Sequence, residues 1–108
     1  MPQIIIKGME VEKVKAFSKP LVDELQEIIG CPRDYFTIEV TASTFVMDGT
    51  QIDITPFVEV KWFDRGQAVQ DKAAVAICRH IQSAGYGDVE TFFTVLEESK
   101  YYENESHY

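Results

Sequence analysis

The sequence predicts an α/β domain: a tandem β-α-β repeat forming a four-stranded mixed sheet with two helices on one face. Three observations lead there. Apolar spacing switches twice from strand-like to helix-like and back, proline and glycine punctuate both halves at matching distances, and the 108 residues suit one core. A single domain over residues 1–108 follows, with repeat units at about 2–49 and 56–105.

The first unit opens with Gln3-Ile4-Ile5-Ile6-Lys7, whose run of β-branched residues suits a short strand buried on both faces. After Gly8, apolar residues recur at helical spacing through Val14, Phe17, Leu21, Leu25 and Ile28. Gly30 and then Pro32 mark the helix end. Pro20 lies inside this stretch, where it removes a hydrogen bond and crowds the preceding turn. Either the helix kinks there or a short first turn gives way to a main helix near Ser18. From Tyr35 to Val40, Phe36, Ile38 and Val40 alternate with Thr37 and Glu39, the signature of a strand with one apolar and one polar face. Asp48-Gly49 reads as a turn and residues 50–55 as a linker.

The second unit repeats the order. A strand is expected from Phe57 to Phe63, a turn at Asp64-Arg65-Gly66, and a helix through Val69, Ala73, Ala76, Ile77, His80 and Ile81. Gly85 and Gly87 end that helix, and Phe92 to Leu96 forms the last strand. The interval from Pro2 to Gly30 is 28 residues and that from Pro56 to Gly85 is 29. Phe36 and Phe92 follow the two prolines after 34 and 36 residues, with Phe45 and Tyr101 beyond them. Duplication explains such ordered matches, and each unit has room for a crossover helix between parallel strands. Two helices cover one sheet face only, so the Ile4-Ile5-Ile6 run calls for a further partner, most simply a second copy in a symmetric oligomer. Thr37, Glu39 and Thr41 keep part of that face wet.

Composition excludes several function classes. Eighteen acidic against ten basic residues give a net charge of −8, which opposes binding to a phosphate backbone. No apolar run approaches the roughly 20 residues of a membrane span, and the amino terminus lacks the pattern of a secretory signal. A cytoplasmic location is expected, with no nucleic-acid or membrane partner. Glu97, Glu98, Glu103 and Glu105 read as a solvated end. Cys31 and Cys78 form no CxxC pair; Cys78 falls on the apolar helix face and Cys31 in an exposed turn. No zinc-ligand spacing, phosphate-binding glycine loop or GxSxG elbow is present, so neither metal nor cofactor is expected. His80 reads as a satisfied core residue and His107 as part of a frayed end.

The Met1-Pro2 start before a strand, the segment Gly30-Cys31-Pro32-Arg33-Asp34-Tyr35-Phe36-Thr37-Ile38-Glu39-Val40, and the second proline-led strand at Pro56 together resemble the tautomerase superfamily. That superfamily includes macrophage migration inhibitory factor and 4-oxalocrotonate tautomerase. The run Trp62-Phe63-Asp64-Arg65-Gly66-Gln67 is similar to an uncharacterised branch of it. The resemblance implies a β-α-β-β-α-β subunit assembled as a homotrimer. It also implies an amino-terminal proline that moves a proton between carbon and oxygen of a keto–enol pair. Members acting on dicarboxylates carry arginines where this chain has Glu10 and Thr37. A lysine of the growth-factor-like branch matches Cys31, and its tyrosine and asparagine on the last strand match Phe92 and Thr94.

Methionine is normally removed before proline, which leaves Pro2 a free secondary amine. An α-amino group has a pKa of roughly 8, and burial lowers it toward the range of an effective general base. Pro2 is therefore the catalytic candidate. Arg33 and Arg65 are the candidates for a substrate carboxylate, Trp62 and Phe92 for an apolar wall, and Thr94 for a further substrate contact. The substrate expected is a small 2-oxo acid or related enolisable carbonyl compound. The competing expectation is a non-catalytic trimeric binding protein of the same fold, in which Pro2 only starts a strand.

Overall fold

The computed structural model covers residues 1–108. Its main sheet has the order β2-β1-β5-β6, from β1 (Gln3–Lys7), β2 (Thr37–Thr41), β5 (Phe57–Trp62) and β6 (Glu90–Val95). β1 runs parallel to β2 and β5 parallel to β6, while β1 and β5 meet antiparallel at the centre. Two β-α-β units are thus joined edge to edge, as the repeat predicts. Each parallel pair needs a crossover, supplied by α1 (Val11–Ile29) and α2 (Gln67–Ser83).

Strand parity decides which residues make the core. Ile4 and Ile6 stand beside Val60 and Val58 in the ladder, and all four point to the helix side. There they meet Val14, Phe17, Leu21 and Leu25 of α1 and Ala73, Ala76, Ile77 and Ile81 of α2 in one buried cluster. Burying each large apolar side chain stabilises the fold by about 1.5–3 kcal/mol. The alanines on α2 let the two helices lie close together. The opposite parity leaves Ile5, Glu39, Glu59 and Phe92 as one row across the uncovered face. Only one of the three N-terminal isoleucines therefore needs an external partner.

α1 is a single helix that contains Pro20, whose ring lies on the solvent side. Gly30 ends it in the left-handed region at φ 77°, its N–H bonding to Gln26 O, as its C-cap reading requires.

Other expectations need correction. Residues 50–55 are not all linker: β4 (Thr50–Ile52) pairs with β3 (Phe45–Met47) around Asp48-Gly49, both residues at positive φ. An Asp-Gly turn of this kind suits the twist of a tight hairpin. Phe36 and Phe92 do not correspond. Thr37 N–H bonds to Pro2 O, and the equivalent bond to Pro56 O comes from Glu90, so Phe36 precedes its strand while Phe92 lies well inside its own. Tyr35 belongs to a 3₁₀ turn (Arg33–Tyr35) ahead of β2. Cys31 is buried, 6% exposed, and Cys78 is only half-buried, the reverse of their expected places. The C-terminal segment is not frayed: β7 (Tyr102–Glu103) and β8 (Ser106–His107) form a second hairpin, with His107 opposite Tyr102.

Candidate active site at the amino terminus

The topology gathers three segments around the start of β1. Its parallel neighbour β2 begins beside it, and its antiparallel neighbour β5 ends beside it, with Gln3 opposite both Thr37 and Lys61. The 3₁₀ turn before β2 and the Phe63–Gly66 turn after β5 therefore converge on Met1 and Pro2. Pro2 is fully buried. Its carbonyl accepts the Thr37 N–H at 3.2 Å, and the Met1 ammonium donates to Tyr35 O at 2.9 Å.

A cavity of about 200 Å³ opens here, lined by Met1, Tyr35, Phe63, Arg65 and Tyr108. Burial holds the Met1 ammonium below its ordinary pKa; the Cys31 side chain opposes this, the Arg65 guanidinium adds to it, and Asp34 opposes it. Burial in turn pushes the Cys31 thiol up. Asp64 Oδ1 accepts the Gly66 N–H at 2.8 Å, which fixes the turn carrying Arg65. Gly66 at φ 87° adopts a conformation that favours glycine and then starts α2.

The C-terminal hairpin completes the surroundings. Phe63, Tyr101 and Tyr108 form an aromatic trio, with ring centroids 5.6 Å from Phe63 to each tyrosine and 5.2 Å between the tyrosines. Tyr108 N–H bonds to Tyr101 O at 3.0 Å. Tyr101 Oη donates to Met1 Sδ at 2.8 Å, and Gln3 Nε2 donates to Tyr101 Oη at 3.0 Å.

Of the residues singled out from sequence, Pro2 and Arg65 come together and the others stand apart. Arg33 points away along α1, pairing with Asp23 at 2.5 Å and reaching Lys19 O. Trp62 forms no wall of the cavity. Its parity in β5 turns it into the core, 0% exposed, against Phe93 at 4.9 Å, and its indole Nε1 has no acceptor. Phe92 packs on Phe57 at 5.3 Å on the uncovered sheet face, and Thr94 donates to Glu59 at 2.7 Å on that same face. Neither touches the Pro2 cavity within this chain. Sequence reading missed Gln3, Tyr35, Tyr101 and Tyr108. Three tyrosines near the end of an acidic tail were the available signal, since large aromatics are costly to leave in a solvated end.

A domain-family model described as a domain of unknown function, DUF1904, matches residues 1–107. No curated protein matches. The crystal structure of a DUF1904 domain from Sebaldella termitidis is 40% identical, covers 100% of both chains and superposes with a TM-score of 0.93. A protein of unknown function from Vibrio cholerae is 27% identical, with 99% of this chain and 87% of that chain covered and a TM-score of 0.88. A macrophage migration inhibitory factor-like protein from Entamoeba histolytica shares the fold at 18% identity, covering 99% and 98% of the two chains with a TM-score of 0.72. By sequence along nearly its whole length the chain therefore belongs to the DUF1904 family, a branch of unknown function that carries the fold of the tautomerase and macrophage migration inhibitory factor superfamily.

Proposed function

We propose that removal of Met1 converts Pro2 into the general base of a cofactor-free tautomerase acting on a small 2-oxo acid or similar enolisable carbonyl compound. One observation supports the reading: Pro2 is fully buried directly behind Met1, and Met1 lines a small aromatic cavity whose cationic side chain is Arg65. Burial favours the neutral amine, the form able to take a proton, and Arg65 offers a fork of donors for a carboxylate. The protein would assemble as a trimer in the cytoplasm, the uncovered sheet face being the surface available for self-association.

Intact mass of protein purified from its natural host tests the premise, because a retained Met1 leaves Pro2 an amide with no basic nitrogen. Ketonisation of phenylenolpyruvate then compares the mature protein with Pro2→Ala. A loss of roughly 10²-fold or more in kcat/KM is expected from general-base behaviour, and equal rates would remove Pro2 from the mechanism.

A second reading, a binding protein of this fold without catalysis, is favoured by the way Met1 is seated. Its amine and its sulfur are both hydrogen-bonded to the protein, so Met1 itself fills the site. Retention of Met1 in the native protein is the outcome that selects this reading.

A further inference from the structure

The Met1 side chain marks where a ligand atom sits. A thioether sulfur is a weak acceptor, yet Tyr101 Oη stands 2.8 Å from Met1 Sδ and Gln3 Nε2 3.7 Å from it. The two donors are also linked, since Gln3 Nε2 donates to Tyr101 Oη at 3.0 Å. Both are half-buried, and they reach the site from opposite ends of the chain. Tyr101 is held by ring contacts to Phe63 and Tyr108 and by the backbone bond from Tyr108. Gln3 is fixed in the central strand between Thr37 and Lys61. A pair of preset donors converging on one weak acceptor, which the loss of Met1 removes, is arranged for a stronger acceptor.

We infer that, in the protein freed of Met1, Tyr101 and Gln3 are the donors that hold the carbonyl oxygen of the substrate as it becomes an enolate. The inference rests on the proposed role of Pro2 and adds the part that a base alone cannot supply. Met1 is attached directly to the Pro2 nitrogen, so a group taking the place of its side chain lies within a few ångströms of the freed amine. As the substrate C–H bond breaks, its proton goes to the Pro2 nitrogen and its electron pair becomes the C=C bond. The carbonyl π pair moves onto oxygen, which accepts from Tyr101 Oη–H, while the Gln3 N–H bond to Tyr101 Oη makes that hydroxyl a better donor. Proton delivery from the Pro2 ammonium to that oxygen completes the isomerisation with no other reactant. The reverse order converts enol to ketone. Charge developing on oxygen strengthens these bonds relative to the ground state, so their effect falls on kcat.

The test uses mature full-length protein, wild type, Tyr101→Phe and Gln3→Leu, with two readouts. Turnover follows ketonisation of phenylenolpyruvate, and binding follows phenylpyruvate by calorimetry. Tyr101→Phe keeps the ring and its packing. It is expected to lower kcat roughly 10²-fold, and to raise KM and weaken phenylpyruvate binding each by no more than about tenfold. Gln3→Leu is expected to do the same to a smaller degree. Wild-type turnover with Tyr101→Phe within twofold of it overturns the assignment and leaves Pro2 as base intact. Binding without turnover, weakened by Tyr101→Phe, supports the donor pair and overturns the proton-transfer reading. No phenylpyruvate binding by mature wild type overturns the donor pair directly.

Discussion

Trp62 illustrates how one residue can look functional in sequence and be structural in place. It is the largest side chain in the core, and its buried indole N–H has no acceptor. An unpartnered donor of this kind costs about 1–3 kcal/mol, a penalty offset by the ring's packing on Phe93. Trp62→Phe discards the unpaired N–H with part of the ring, whereas Trp62→Ala discards the whole contact. Urea unfolding should show a loss of about 3–5 kcal/mol for alanine and a distinctly smaller one for phenylalanine. Equal losses would mean that the indole nitrogen has an acceptor. The amine beside Arg65 makes a second prediction at this scale. Burial, opposed by Cys31 and Asp34 and aided by Arg65, lowers the folded-state pKa of the Met1 amine, and the fully buried Pro2 nitrogen, once freed as an amine, meets the same desolvation. A base must be unprotonated, so kcat/KM of the mature protein should rise with pH to a plateau through a midpoint below the ordinary value of roughly 8. Removing the nearby cation in Arg65→Ala should move that midpoint upward and raise KM about tenfold or more. The same sign governs stability. Between the lowered folded value and the ordinary one, the unfolded chain binds more protons, so this group's contribution is lost as pH falls through that window.

At the scale of elements, α1 and α2 are clasped by one polar cluster at their solvent edge. Glu24 of α1 pairs with Arg79 of α2, and its other oxygen meets His80 Nε2 at 2.9 Å. The hydrogen bonds from Arg79 and then His80 hold the Glu24 carboxyl below its ordinary pKa. A depressed carboxylate contributes stability above its unfolded pKa and loses it as pH falls through the folded one. Glu24→Gln should therefore cost under about 1 kcal/mol at neutral pH, as expected of a largely solvated cluster. The difference from wild type should vanish in acid melts; a constant difference at all pH values would show that packing dominates. His80 was legible as a satisfied residue because it falls on the apolar helix stripe, but its partner lies 56 residues away and no local pattern announces it. The strands and helices were legible for a related reason, since period and punctuation are local properties. Register was not. The Phe36–Phe92 match failed because sequence spacing does not show where strand pairing begins, and a shift of one residue reverses the face. The same limit hid the site: Gln3 and Tyr101 are 98 residues apart and meet only through the closing hairpin.

For the whole molecule, the sheet face opposite the helices sets the remaining question. Ile5 and Phe92 stand on it in one row with Glu39 and Glu59, and Phe57 packs beside Phe92. Phe92 is 41% exposed in the isolated chain, and only 18 of the 108 residues are buried. That burial is low for a domain whose central strands are this apolar, and further copies laid against the open face would raise it. The carboxylates confine the apolar contact to Ile5, Phe57 and Phe92 and keep the rest hydrated, which suits a ring of copies around a wet centre better than a flat dry stack. With the trimer proposed from the superfamily resemblance, the expected mass by light scattering at micromolar concentration is that of three copies. Phe92→Lys places a charge in the apolar part of this face without touching the helix-side core. It should shift the mass toward monomer while leaving the far-UV circular dichroism of the folded chain unchanged. A wild-type monomer would remove self-association from the reading, and a trimer indifferent to Phe92→Lys would place the interface on another surface. Were the mutant monomeric and still able to bind phenylpyruvate, the proposed site around Pro2, Arg65, Gln3 and Tyr101 would be complete within one chain. Loss of binding together with assembly would mean that a neighbouring copy supplies part of its wall.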